Sequence, residues 1–536
     1  MKVSKIYYNF FKKMGYKEIF GLPGSYIMPL WQEFEKDIKI VLSRHENGAV
    51  FMADGWSRNN NLPGIVLTTI GPGLTNAVTG ITCAYQDSVP MIVISGYVST
   101  SMNNKGGFQN SDINDRGFMP DQLLSSITKA TFLPQTADEA IQALTSAYEI
   151  SMSGRKGPVH ISLPFDVQSM ESNLDVVPNE NNDNNIDFDW QSKFIDLINK
   201  SKRPIFFCGN GCFLAKATEA MNEISQKNNI PIISSIKGAS ACCVSNNLYW
   251  GVTGNALKKG LYDHLKKYNA DLVISLGSSL SFNSFNGYDE LLNKADIVRI
   301  DIDKKQFNNY KKATLDINTD VLDFLEEMKH MDISKKDLKY HYKIDEENSN
   351  ENDNLFSQIS DYMYRNTTEN TLFVPDAGNH WLDILYWCYP KRRLGIFTNA
   401  GLASMGHAIG ASIGFKIANP NKEVICITGD GSFMMSGMEI SEAIRQNLDM
   451  MFIVVNNLSL GRARVYQEMT DNKIISTTFN KCDIITIASG LGAISRQVNN
   501  LEEFKKVFEE LKNIFGVKVI EVIVEEKDCP KILRRK

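Results

Sequence analysis

The chain has 536 residues, 43% of them hydrophobic and 22% charged, with a formal net charge of -5. That length exceeds one hydrophobic core and predicts roughly two to four domains of ordinary soluble type. The weak acidic balance argues against nucleic-acid or anionic-membrane partners, and no uncharged apolar run is long enough to span a bilayer.

The first residues, Met1 to Phe11, mix Lys with aromatics and lack an apolar stretch and cleavage site, which predicts a cytoplasmic protein. The nine Cys form no paired framework and mostly sit beside apolar residues, as buried reduced thiols do.

Ile38 to Leu42 reads as a strand and about Ala49 to Arg58 as a helix, so Glu46 falls at a strand-to-helix junction. Strands follow at Gly64 to Thr69 and Met91 to Ser95. An Asn-rich polar stretch, about Glu171 to Asp187, marks a linker. Further β-branched runs lie at Pro204 to Phe207 and Leu272 to Ser275, before a second polar stretch from Asp332 to Asn354. Val424 to Thr428 reads as a strand, Met434 to Gln446 as a helix, and Met450 to Val455 as the next strand. Short apolar runs alternating with helices predict an α/β fold of three domains (residues 1–170, 188–331 and 355–536). Each is expected to be an open parallel sheet flanked by helices. Ligands of such sheets sit at the carboxyl ends of the strands.

At those ends stand Asp430, within Gly429-Asp430-Gly431-Ser432, and Asn457, 27 residues later. One β-α-β unit separates them, so both side chains emerge at one edge of neighbouring strands. A carboxylate and an amide oxygen suit a hard cation whose remaining ligands come from a diphosphate. The glycines allow close backbone approach, and the helix start offers free N–H groups to an anion. A lone Gly-Asp-Gly would be an ordinary turn; the coupled Asn456-Asn457 makes it more than that.

Gly429-Asp430-Gly431 followed by Asn456-Asn457 resembles the signature of the thiamine-diphosphate-dependent enzymes, the family containing acetolactate synthase and benzoylformate decarboxylase. The resemblance covers nearly the whole chain and implies a pyrimidine–middle–diphosphate domain order. It implies magnesium on Asp430, Asn457 and the carbonyl of Ser459. It implies cofactor contacts from Gly429, Gly431, Ser432, Leu460 and Gly461, and from Gly378-Asn379-His380. Asn399-Ala-Gly-Leu-Ala-Ser-Met-Gly406 resembles the aminopyrimidine segment, with Gly401, Ala403 and the wedge residue Met405. Arg44-His45-Glu46-Asn47-Gly48-Ala49 resembles the segment bearing the activating Glu, here Glu46. Pro23, Gly24 and Asn76 belong to two further matching turns, Phe20-Gly21-Leu22-Pro23-Gly24 and Gly71-Pro-Gly-Leu-Thr-Asn76. Asp87-Ser-Val-Pro-Met91 matches as well. In the family the first domain of one subunit faces the third of another, which implies a homodimer or homotetramer.

Gly107-Phe108-Gln109 and Thr128-Lys129 resemble the acetolactate synthase branch, where Phe108, Gln109 and Lys129 would serve the reacting carbons. That branch continues Phe-Gln-Glu and Thr-Lys-His; this chain has Asn110 and Ala130. Where the branch has Met and Trp in the acceptor pocket, this chain has Arg462 and Tyr466. A larger, more polar or anionic acceptor follows, unless Arg462 faces solvent or pairs with a carboxylate. Many acetolactate synthases hold FAD in the middle domain. Their Phe-Asp-Asp-Arg stretch is Leu280-Ser281-Phe282-Asn283 here, so FAD is open but disfavoured. The activity implied is decarboxylation of pyruvate or a similar 2-oxo acid, with transfer of the two-carbon unit to a carbonyl acceptor. That acceptor is pyruvate or a larger keto compound such as a keto-sugar. The alternatives are a simple decarboxylase releasing an aldehyde, which needs a proton donor, typically His (His45 and His407 are present, but no adjacent His-His pair), and a non-catalytic subunit of the same fold.

Overall fold

Three parallel sheets follow one another along the chain. A computed structural model describes residues 1–60, 62–103, 105–109, 118–177, 190–285, 293–309, 311–344, 348–470, 473–526 and 530. Asn110, Cys529 and residues 178–189 of the Asn-rich stretch lie outside the described residues.

The first sheet runs Lys39–Leu42, Glu18–Gly21, Gly64–Thr68, Met91–Tyr97, Pro158–Pro164, Thr131–Phe132. The second runs Leu315–Ile317, Asp296–Ile300, Leu272–Leu276, Pro204–Cys208, Ile232–Ser234, Tyr249–Val252. The third runs Thr371–Pro375, Glu423–Gly429, Met450–Asn456, Val517–Ile523, Ile494–Val498. Every pairing is parallel. Helical crossovers cover both faces, which is why runs such as Met91–Tyr97 and Met450–Asn456 are buried throughout and apolar without alternation.

Two helices differ from their sequence reading, and both differences bear on the site. The first-domain helix spans Glu46–Asn60, so Glu46 is its first residue, where an acidic side chain favours the helix dipole. The segment after Glu423–Gly429 is not one helix from Met434. It is Asp430–Ser436, a tight turn at Gly437–Glu439, and Ile440–Arg445. The break at Gly437 turns Glu439 toward the first domain.

First and third domains meet through helices Glu46–Asn60 and His407–Ala418. Their axes cross closely because glycines stand at the contact. A Cβ on Gly55 would collide with the carbonyl of Ala411, and one on Gly414 with that of Met52. Behind this contact lies a buried charge cluster. Arg58 Nε donates to Asp54 at 2.6 Å and its Nη2 to Asp87 at 3.1 Å. Lys237 of the second domain reaches Asp87 at 3.1 Å, and His407 Nε2 lies 3.6 Å from Asp54. Burial works against the Asp54 charge, but Arg58 and His407 pull its carboxyl down to about 2. The cluster thus ties all three domains, and the Asp87 turn is its centre.

No helix among the described residues is long and apolar enough to cross a membrane.

Candidate active site

A cavity of about 1330 Å³ opens at the carboxyl edge of the third sheet. Register sets its floor: Gly429 pairs with Val455, so Asp430 and Asn457 leave adjacent strands at one edge. Gly378, Asn379, His380, Met405, Gly429, Asp430, Gly431, Ser432, Asn457, Ser459, Leu460, Gly461, Arg462 and Tyr466 all line it.

The floor is a set of polar groups without protein partners. Asp430 Oδ1 accepts from the Gly431 N–H at 2.9 Å, while its Oδ2 is buried and unpaired. Burial pushes this carboxyl up to about 6, against the backbone N–H groups of Gly431, Leu458 and Ser459. Both polar atoms of the Asn379 amide and Nε2 of His380 are likewise buried and unpaired. Burial pushes His380 down to about 4, so at neutral pH its ring is uncharged. Orphaned buried polar atoms are costly, and their clustering in one cavity marks a place for a ligand that pairs with them.

The backbone leaves room for that ligand. A Cβ on Gly461 would come within 2.7 Å of the Asn457 amide and 3.0 Å of that of Asn379. Asn457 Oδ1 accepts from the Ser459 N–H at 3.1 Å, which fixes the amide, and the Ser459 carbonyl accepts from Gly461. Met405 Cε lies beside Gly431. The Met405 turn is anchored by Asp376, whose Oδ2 accepts from Gly406 N at 2.7 Å and Thr428 Oγ1 at 3.1 Å. Sequence reading missed Asp376; its position three residues before Asn379, at the end of strand Thr371–Pro375, was the available signal.

No first-domain residue among the described residues lines this cavity. The first-domain candidates form a separate group at the edge of their own sheet. Glu46 is buried, and Asn76 Nδ2 donates to its Oε2 at 3.0 Å. Asn76, read from the sequence as a cofactor contact, is therefore turned onto Glu46. Gln109 has a left-handed backbone (φ 56°) and packs against Gly71 of the same turn. Gly24 lies against Thr69, and Pro23 beside it is exposed. Phe108 is 79% exposed.

Three expectations need correction. Lys129, expected to handle the donor, lies outside the main cavity of its own chain. Its Nζ donates to the carbonyls of Ile150 and of Ser153 (2.6 Å), closing the end of helix Ala137–Met152, and burial lowers it to about 8. Gly401 does not line the main cavity; it abuts the Asp87 carboxylate beside a second cavity, and Ala403 is exposed with φ 56°. His407 is buried against Asp54, Phe51 and Phe397, away from the cavity, while His45 is exposed beside Glu46.

Arg462 and Tyr466 project from helix Gly461–Thr470 at the cavity wall, and Tyr466 is 69% exposed. Arg462 forms no ion pair among the described residues, which removes the carboxylate-pairing alternative there. The Leu280–Asn283 stretch borders the second cavity, about 610 Å³, beyond the carboxyl ends of strands Pro204–Cys208 and Leu272–Leu276. Ser281 and Asn283 line it, with Gly211 and Gly277 packed against each other.

Three covered parallel sheets, with a cavity of unpaired polar groups at the strand edge where ligands of such sheets sit, define a ligand-binding α/β protein. Models of the thiamine pyrophosphate enzyme domains match along the chain: the N-terminal TPP binding domain over residues 1–116, the central domain over 192–328, and the C-terminal TPP binding domain over 376–522. The probable acetolactate synthase large subunit of Methanococcus aeolicus is 30% identical over 539 residues, covering 92% of this chain and 87% of its own. The acetolactate synthase isozyme 3 large subunit of Escherichia coli K12 is 28% identical, covering 95% and 92%. The acetolactate synthase large subunit of Lactococcus lactis subsp. lactis IL1403 is 28% identical, covering 87% of this chain and 82% of its own. The chain belongs to the thiamine pyrophosphate enzyme family, as an enzyme of acetolactate synthase-like type. Its cofactor is thiamine diphosphate.

Proposed function

We propose that the enzyme decarboxylates pyruvate, or a similar 2-oxo acid, and joins the two-carbon unit to a carbonyl acceptor. The observation that carries this reading is the floor of the main cavity. There, unpaired Asp430, Asn379 and His380 groups surround Asn457 in a chain related to acetolactate synthases over most of its length.

Those groups fit a diphosphate and a divalent cation. Asp430 Oδ2, the Asn457 amide oxygen and the Ser459 carbonyl are hard oxygen donors suited to magnesium. The Asn379 amide and neutral His380 donate to phosphate oxygens, and Gly461 keeps the approach open. Bound thiamine diphosphate supplies the carbon nucleophile and the electron sink for decarboxylation.

The chain's residues do the rest. Glu46 holds a proton at the pyrimidine ring, and Asn76 orients it by the 3.0 Å bond. Met405 presses on the bound cofactor from the Asp376-anchored turn. Arg462, free of carboxylates among the described residues, and the Tyr466 hydroxyl receive a polar or anionic acceptor. Pyruvate and a keto-sugar both satisfy that wall.

Glu46 and the cavity floor must meet for this chemistry, and they do so across two copies. The third-domain surface beside the cavity exposes Met434 (60%), Met435 (64%) and Phe479, and the first domain exposes Phe108. Exposed apolar side chains on both domains are suited to an interface. In a homodimer or homotetramer, Glu46, Phe108 and Gln109 of one copy close the cavity of the other. FAD enters no step; flavin absorbance in the purified protein would assign one to the second cavity.

Mass spectrometry of products from pyruvate, thiamine diphosphate and magnesium tests the reading, with Glu46→Ala as control. Acetolactate, or a new product on adding a keto-sugar, supports a carboligase. Acetaldehyde alone would make it a simple decarboxylase, and no pyruvate loss under any condition would leave a non-catalytic subunit.

A further inference from the structure

Two buried carboxylates of the third domain lie beneath the Glu46 junction, and neither belongs to the cavity. Glu439 is 3% exposed and Glu442 fully buried. Glu439 accepts from Arg44 N at 2.9 Å and from His45 N at 3.0 Å. Glu442 Oε1 accepts from Leu42 N at 3.1 Å. These three N–H groups belong to the end of strand Lys39–Leu42 and the two residues before helix Glu46–Asn60. The junction that presents Glu46 thus has its backbone donors satisfied by side chains about 400 residues away.

The contact is built for fit. A Cβ on Gly48 would collide with the Glu439 carboxylate, so only glycine lets the helix start settle on it. The Arg44 side chain completes the clasp through Ser441 Oγ at 2.8 Å and Glu442 at 3.6 Å. Arg445 holds Glu442 from behind at 2.7 Å.

We propose that Glu439, supported by Glu442, is a positioning residue that fixes the strand-to-helix junction and thereby the direction in which Glu46 points. The proposal rests on the reading of Glu46 as the activating carboxylate. Glu439 touches neither cofactor nor substrate; it acts through the backbone of Arg44 and His45. One consequence concerns the assembly. In a dimer with shared sites, Glu439 sits three turns from the metal ligand Asp430 of one cavity while setting Glu46 for the other.

The clasp also responds to pH. Burial, with the nearby Glu442 charge, pushes Glu439 up to about 7, against the Arg44 and His45 N–H groups and the Arg44 charge. The facing groups are Arg44, His45, Ser441 and Glu442, with Arg445 behind. Burial outweighs those bonds, so the buried site holds the proton more tightly than an opened, hydrated Glu439 would, and ionisation works against the closed clasp. The closed junction is therefore favoured at lower pH and loosens as pH rises through about 7.

The test compares Glu439→Gln, Glu439→Asp and Gly48→Ala with the unaltered enzyme and with Glu46→Gln. In the cofactor-free protein, hydrogen-exchange protection of the peptide covering residues 42–47 should fall about tenfold in Glu439→Gln. In the unaltered protein it should fall as pH rises through about 7, and Glu439→Asp should restore part of what Glu439→Gln loses. In the loaded enzyme, kcat should fall about tenfold with an almost unchanged KM for thiamine diphosphate, and the acidic limb of the pH profile should shift. Should Glu439→Gln fail to fold, Gly48→Ala displaces the same carboxylate with the charge retained and is expected to give the same pattern. Lost protection with unchanged kcat, or unchanged protection, overturns the proposal. If Glu46→Gln leaves turnover intact, the assignment of Glu46 itself fails and this proposal falls with it.

Discussion

Replacing Asn76 by Ala removes the side-chain donor on Glu46 and nothing from the cavity floor. The bond is 3.0 Å from Nδ2 to Oε2, between a neutral donor and a buried carboxylate. A hydrogen bond to a charged group contributes about 1.5–3 kcal/mol. At about 1.4 kcal/mol per factor of ten, that corresponds to a rate loss of about 10- to 150-fold if the bond is needed in the transition state. Asn76→Asp should lose more, because it sets a second carboxylate against Glu46. The assay is the initial rate of pyruvate consumption at saturating cofactor and magnesium, with a cofactor titration alongside. We expect kcat to fall by that factor and cofactor affinity to change little. A kcat within about twofold of the unaltered enzyme, or a loss carried wholly by cofactor affinity, would refute the role given to Asn76.

Gly461→Ala places a methyl against the amides of Asn457 and Asn379. Calorimetry should then show weaker binding of thiamine diphosphate by about 1–3 kcal/mol, with thermal stability almost unchanged. Arg58→Met leaves the buried Asp54 facing only His407 and Asp87 only Lys237 among the described residues, and chemical denaturation should register a loss of about 3–5 kcal/mol. Lys422 is buried, donates to the Leu394 carbonyl at 2.7 Å, and is pushed down to about 7. Its charged form opposes folding, fully below pH 7 and less as pH rises toward 10.5. The unaltered protein should therefore gain stability over that range, and melting curves of Lys422→Met should lack that gain.

The metal and diphosphate residues were legible because they are local. Asp430 and Asn457 fall within one β-α-β unit, and parallel pairing delivers both to one edge whatever the rest of the chain does. The short, continuously apolar strands likewise carried the α/β architecture directly. What failed was non-local. Nothing near Asn76 in the sequence says that its amide turns onto Glu46. Glu439 and Glu442 reach the first domain only because Gly437 breaks a helix that reads as continuous. Lys129 illustrates the opposite error: a cation expected in chemistry is held by the last carbonyls of helix Ala137–Met152. Arg462 stands at the cavity wall without a carboxylate partner among the described residues but is exposed, so of the two alternatives read from the sequence only the solvent-facing one is left open.

The central claim is transfer of a two-carbon unit from a 2-oxo acid, and carbon tracking by NMR tests it most directly. Pyruvate labelled at its second carbon is incubated with the enzyme, thiamine diphosphate and magnesium, alone and with an unlabelled keto-sugar. The account predicts the label in a new ketone carbon bonded to an acceptor-derived carbinol carbon, absent with Glu46→Gln. Label recovered only in acetaldehyde, or left entirely in pyruvate, would contradict it.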